Sequence, residues 1–303
     1  MTLLLCLNEH SHHQADITAR DLGEAFTQLI AVVQAVRLRR TDTALVAEAY
    51  FHQLLIGDGV VFAEWQADGR NRDAARFLKL QLTRAPFSSV LDTEIRSLTR
   101  YTFDGTEALG LGTAHLVGGL AVSFALSPAW DVPHLELHRE ELLDDGEIET
   151  SSERIPHASV AAHVDLHDAW IRSAGTSGIR NGPALWAVRN DLLPNLRFLP
   201  RVEDDLARLQ PALLPSVWRL LAAFEGAVAG RDTSSPQAPT WPVKVTPEHE
   251  QRKRLCYFDD PAAGGTMAFD THARFTPWAG RMHFRWDAAA GKVVIAYIGD
   301  KLR

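Results

Sequence analysis

Cysteine is nearly absent. Only Cys6 and Cys256 occur among 303 residues, so no disulfide framework can brace the fold, and a reducing, cytoplasmic location is expected. Long apolar runs are missing too. The weakly polar stretch from Leu116 to Leu126 is far shorter than the ~20 residues that a spanning helix needs, so no membrane partner is expected. The start, MTLLLCLNEHSHH, lacks the basic stretch that opens a secretion signal. There is no GxxxxGK[ST], no GxSxG and no CxxC, which removes the phosphate-cradling loop, the hydrolase nucleophile elbow and the dithiol motif. No cofactor is expected.

What is present describes a globular protein. Hydrophobic residues make up 46% and charged residues 23%, enough apolar surface to build a real core. The net charge of −7 hides an asymmetry, because Thr240 to Arg303 carries ten Lys/Arg against seven Asp/Glu. The body is therefore acidic and the tail mildly basic. That balance permits RNA or DNA as a partner of the tail and opposes wrapping nucleic acid over the whole surface.

Along the chain, residues 3–7 suit a buried strand. Leu22, Phe26, Leu29, Val33 and Val36 recur at helical spacing, with Asp16 placed to cap the helix start. Asp73 to Leu82 reads as a second helix, Leu135 to Leu137 as a strand, Glu140 to Glu153 as an acidic connection, and His163 to Arg172 as a short helix. A helical pair covers Val202 to Val228, broken near Pro211 and Pro215. The run GRDTSSPQAPT, residues 230–240, is the most linker-like in the chain. The expected organisation is α+β (mixed α/β): a domain over 1–229, a linker over 230–240, and an antiparallel β module over 241–303.

In that module Arg281-Met-His-Phe-Arg-Trp286 alternates strictly. Arg281, His283 and Arg285 share one face of a strand, and Met282, Phe284 and Trp286 share the other. Lys292 opens the returning strand after a loop at Asp287–Gly291. If Thr271–Phe275 pairs alongside, His272 and Arg274 join the same face. Guanidinium groups match phosphate oxygens, and a histidine titrating near neutrality can move a proton to or from a hydroxyl. Trp278, beside Pro277 and Gly280, is a candidate platform for stacking a base.

The run HARFTPWAGRMHFRWDAAAGKVVIAYIGDKL, residues 272–302, resembles the end of bacterial toxins of the RelE/ParE/HigB type. The resemblance implies a curved antiparallel sheet and an RNA-cleaving or gyrase-poisoning activity in a bacterial defence or mobile-element setting. It implies catalytic roles for Arg281, His272 and His283. The basic face itself, apart from the resemblance, makes Arg274, Arg285, Trp278 and Lys292 the candidate nucleic-acid contacts. Such toxins are basic throughout, unlike this acidic chain. The two function classes are a nucleic-acid-directed, toxin-like effector or metal-independent ribonuclease, and a non-catalytic subunit that docks a protein partner.

Two further histidine patterns carry ligand spacing. His134, Glu136 and His138 share one strand face, and His163 and His167 lie one helical turn apart. With 13 histidines such spacings arise by accident, and no metal is expected. Gly110-Leu-Gly112 through Gly118 departs from a dinucleotide-binding loop and reads as helix packing or a turn.

Overall fold

A computed structural model describes residues 2–12, 17, 19–50, 53–56, 60–81, 99–142, 146–173, 179, 181–231, 236–241, 243–275 and 280–303. It divides the chain into two compact units, Met1–Ser177 and Gly178–Arg303. Helices and strands alternate in both, which is an α+β organisation.

The N-terminal unit is built on strands β1 (Leu3–Leu7), β2 (Thr43–Val46), β5 (Thr99–Phe103), β6 (Thr106–Glu107), β7 (Leu120–Val122), β8 (His134–Leu142) and β9 (Ile148–Ala158). They form one seven-stranded sheet in the order β2-β1-β7-β9-β8-β5-β6. β2, β1, β7 and β9 run parallel, while the neighbours in β9-β8-β5-β6 run antiparallel. A separate small hairpin joins β3 (Leu55–Ile56) to β4 (Val60–Val61). Its helices are α1 (Ala19–Arg39), α2 (Phe62–Ala67), α3 (Arg72–Gln81), α4 (Leu109–Val117), α5 (Ala161–Leu166) and α6 (Asp168–Ser173).

Parallel strands need a crossover, and α1 supplies the one between β1 and β2. Its predicted stripe is the buried one: Leu22, Phe26, Leu29, Val33 and Val36 are all at most 4% exposed. Phe26 stacks on Trp65 with ring centroids 4.0 Å apart and meets Phe124 edge-on at 5.2 Å. The capping role expected of Asp16 lies outside the described residues. The Gly110–Gly118 segment is indeed a helix and its stop. A Cβ at Gly112 would come within 2.5 Å of the Tyr101 ring, and Gly118 ends α4 at φ 61. The acidic run over 140–153 is a ladder rather than a connection. β8 and β9 pair as far as Leu142↔Ile148, with Arg139 paired to Glu141 and to Glu153. Opposite charges on neighbouring strand positions offset the repulsion among the carboxylates of the ladder.

The C-terminal unit contains α7 (Gly182–Leu192), β10 (Leu196–Phe198), α8 (Val202–Arg208), α9 (Leu214–Ala229), β11 (Val245–Pro247), β12 (Tyr257–Asp260), β13 (Gly265–Ala268), β14 (Thr271–Phe275), β15 (Gly280–Asp287) and β16 (Lys292–Gly299). Its sheet order is β10-β16-β15-β14-β11, antiparallel except where β10 runs parallel to β16. The helical pair breaks at Pro211, and Pro215 sits in the first turn of α9, where its missing N–H costs nothing.

The division at Ser177/Gly178 differs from the boundary expected at 230–240. The reason is that the sheet takes its edge strand β10 from before that run. Phe224 of α9 also stacks on Trp241 at 4.8 Å and meets Phe284 of β15 edge-on at 4.7 Å. Ser/Pro-rich composition marks a loop that crosses this unit, part of it outside the described residues.

Candidate functional site

The expected clustering holds in register. β14 lies antiparallel to β15 with His272 opposite His283 and Arg274 opposite Arg281, and the β15–β16 hairpin turns at Gly291, φ 61. A bulge between His283 and Phe284 falls on the β16 side, so the alternation of β15 is kept.

The middle of that face is closed to solvent. Arg281 is 2% exposed, His283 is 0% and His272 is 6%. One face of the sheet rests on α9, and the face that carries the basic residues is covered by the β12–β13 hairpin and the residues around it. The Nδ1–H of His283 donates to the Phe269 carbonyl at 3.0 Å, and Phe258 lies 6.5 Å from the His283 ring. Alternation reports which residues share a face; it is blind to what a later or earlier hairpin lays over that face. Arg285 and Arg274 are half-buried, as is Lys292. Trp278 lies outside the described residues.

Asp260 of β12 explains Arg285. Its carboxylate, fully buried, accepts both terminal nitrogens of Arg197 at 2.7 Å and one of Arg285 at 3.0 Å. Bonding to Arg197 first, then Arg285, outweighs burial and holds the Asp260 carboxyl well below the usual carboxylate range. Arg285 is thus half of an internal ion pair.

Around His283 lies a second cluster. Glu248, just after β11, is buried beside His272 and His283. One donor atom from each of the three lies within 4.8 Å of the others. Glu248 Oε1 accepts from the backbone N–H of His249 and from Arg252 Nε, both at 3.1 Å, while Oε2 lies 3.8 Å from His272 Nδ1. His272 Nε2 bonds Thr246 Oγ1 at 3.2 Å. Neither His272 Nδ1 nor His283 Nε2 has a hydrogen-bond partner. Burial, then the charges of His283 and Arg281, pulls His272 down to about 4. Burial also lowers His283, partly offset by its bond to Phe269. Both rings are therefore neutral at neutral pH. Burial works to raise the Glu248 carboxyl, but the His249 N–H together with His272 and Arg252 outweighs it, so this group stays ionised.

The surface of the unit offers a different feature. A cleft of about 310 Å³ is lined by Arg189, Asn190, Arg197, Phe198 and Lys292 among others, with no carboxylate among the described lining residues. Arg189 lies over the Trp186 ring, 3.3 Å from its centroid, and Trp186 meets Phe198 edge-on at 6.2 Å. Of the basic residues singled out in the sequence, Lys292 is the one in this cleft.

The other histidine patterns resolve differently. Glu136 and His138 are exposed and sit among Ser152, Arg154 and Glu140 on the β8–β9 ribbon. His163 pairs with Asp131 at 3.2 Å, and His167 bonds the Pro133 carbonyl at 2.8 Å. Among the described residues, the group with metal-ligand geometry is Glu248, His272 and His283. Glu248, Thr246 and Asp260 carried no sequence signal, because each acts through a contact made only in the folded sheet. The chain matches no protein-family description, no curated protein and no solved structure.

Proposed function

We propose that the protein is nucleic-acid-directed and that its contact surface is the cleft of Arg189, Arg197 and Lys292. The reading rests on one observation: an open cleft lined by three cationic side chains and an aromatic ring, with no carboxylate among the described lining residues. Single-stranded nucleic acid is recognised by this combination, cations tracking the phosphates and aromatic faces stacking the bases. Phe198 offers the face, Arg189 and Lys292 the charge, and Asn190 a hydrogen-bonding amide. Arg197 contributes less, because Asp260 already neutralises it. The resemblance of residues 272–302 to the end of RelE/ParE/HigB-type toxins points to the same class of partner. The buried positions of His272 and His283 remove them as acid and base for a polymer, so the proposal is one of binding.

The test is fluorescence anisotropy with labelled single-stranded RNA and DNA at two salt concentrations. Arg189→Ala/Lys292→Ala is expected to weaken binding at least tenfold, similarly across sequences, and to reduce the salt slope by roughly one to two. A wild-type chain that binds neither oligonucleotide ends this reading.

A further inference from the structure

We infer that Glu248, His272 and His283 bind one divalent transition-metal ion in the C-terminal unit, independently of the cleft. The argument starts from what each side chain does with its other polar atom. A carbonyl can only accept, so the bond to Phe269 fixes the proton of His283 on Nδ1 and leaves the Nε2 lone pair free. The tautomer in which His272 Nε2–H donates to Thr246 Oγ1 leaves the Nδ1 lone pair free. His249 N–H and Arg252 hold Glu248 Oε1, which leaves Oε2 turned toward His272. Three anchored residues thus present three unused donor atoms to one buried point. Outer partners of this kind are what orient metal ligands and set their tautomers.

A merely structural polar cluster would have its members bonded to one another. Here His272 Nδ1 and Glu248 Oε2 stand 3.8 Å apart, beyond hydrogen-bond reach, and His283 Nε2 has no partner. Buried polar atoms are rarely left so, and two in one cluster ask for a common ligand. A cation bonded at about 2.0–2.2 Å to each donor answers all three at once. It draws together atoms already within 4.8 Å of one another.

The donor set selects the ion. Two imidazoles and one carboxylate suit manganese through zinc, whereas calcium and magnesium take oxygen ligands almost exclusively. The positive charges of Arg252 and Arg281 act on this pocket and further disfavour ions held by charge alone. The ligands come from three segments: the exit of β11, β14 and β15. A bound ion therefore ties the stretch leading into the β12–β13 cover to two central strands.

The experiment uses the full chain, purified without a histidine tag and stripped with chelator. It is exposed to an equimolar mixture of Mn²⁺, Co²⁺, Ni²⁺, Cu²⁺ and Zn²⁺, passed through gel filtration and analysed by elemental mass spectrometry. About one equivalent per chain is expected, with a melting temperature several degrees above that of the stripped protein. Glu248→Gln and His283→Ala are expected to lose at least tenfold in affinity, and His134→Ala/His138→Ala to keep the wild-type value. Retention of no ion by the wild type, or full affinity in both Glu248→Gln and His283→Ala, overturns the inference. Should those variants fail to fold, Cu²⁺ electron paramagnetic resonance of the His134→Ala/His138→Ala chain decides. Hyperfine splitting from two imidazole nitrogens is expected, and any other count overturns the site.

Discussion

In the N-terminal unit His157 gives both ring nitrogens to neighbours, Nδ1 to the Val132 carbonyl at 2.6 Å and Nε2 to Ser123 Oγ at 2.7 Å. In the C-terminal unit His283 gives only Nδ1 to a neighbour, and both rings are fully buried. Burial alone thus says little about a histidine's task. What separates the two is whether the second nitrogen is already used. His157 joins the ends of β7 and β9, with Asn8 donating to the same Ser123 hydroxyl, so its network closes on itself. The network of His283 stays open toward His272 and Glu248. The first arrangement spends its polar atoms on the fold and the second keeps them for a ligand.

The largest effect expected from breaking this comparison belongs to apolar packing in the first unit. Phe26→Ala removes a fully buried ring between Trp65 and Phe124 and should cost about 3–5 kcal/mol in denaturant melts. Metal uptake by the second unit should survive it under conditions where the variant remains folded. A loss below about 1 kcal/mol would mean that this core is looser than the packing implies.

Next in size is pH. Burial, only partly offset by the bond to Val132, pulls His157 down to about 4, and His163 is lowered as well. The unfolded chain protonates such a histidine near 6.5, so protons favour unfolding as pH falls from about 6.5 to 4. Stability present at neutral pH should fall by on the order of 3 kcal/mol across that window and then level off for this group. His157→Gln should flatten the slope in urea melts repeated along the pH series. An unchanged slope would assign the acid sensitivity elsewhere.

Much of the frame was legible in the sequence. The stripe of α1, the break at Pro211, the pairing of β14 with β15 and the β15–β16 hairpin all follow from periodicity and turn residues, which are local. The cover was not legible. Tyr257–Asp260 and Gly265–Ala268 form an ordinary short hairpin, and nothing in their composition says that it packs against His283 and Arg285. The same holds for Glu248, a carboxylate after a proline whose importance lies in where β11 ends. Alternation of basic with apolar residues implies a strand buried on one side only and open to solvent on the other. A sheet covered on both faces breaks that inference.

A smaller effect is expected where one side chain serves both the fold and the cleft. Asp260→Asn removes the charge that holds Arg197 and Arg285, and since both arginines keep some solvent the cost should be about 2 kcal/mol. The same change frees Arg197, which lines the cleft, so oligonucleotide affinity should rise while stability falls. Opposite signs in melts and anisotropy titrations would separate the two roles. Parallel losses would show that the cleft depends on the ion pair for its shape.

The sharpest comparison turns on Thr246→Val, the variant with the smallest expected effect on stability. Ser123 and Thr246 each place a hydroxyl against a buried histidine, His157 in one unit and His272 in the other. Ser123→Ala leaves the His157 nitrogen and the Asn8 amide without their shared partner in a fully buried place, which should cost about 1–3 kcal/mol. It should not alter metal uptake. Thr246→Val keeps the shape of the side chain at a half-buried position, so its cost in stability should be about 1 kcal/mol or less. Its effect should appear in the ligand instead, since freeing the His272 ring loosens one metal donor and typically lowers affinity about 10–100-fold. Thermal melts and metal titrations of the two variants give four numbers. If Thr246→Val destabilises the chain as much as Ser123→Ala and leaves metal affinity unchanged, His272 is a structural histidine like His157. The distinction between a closed and an open network then fails.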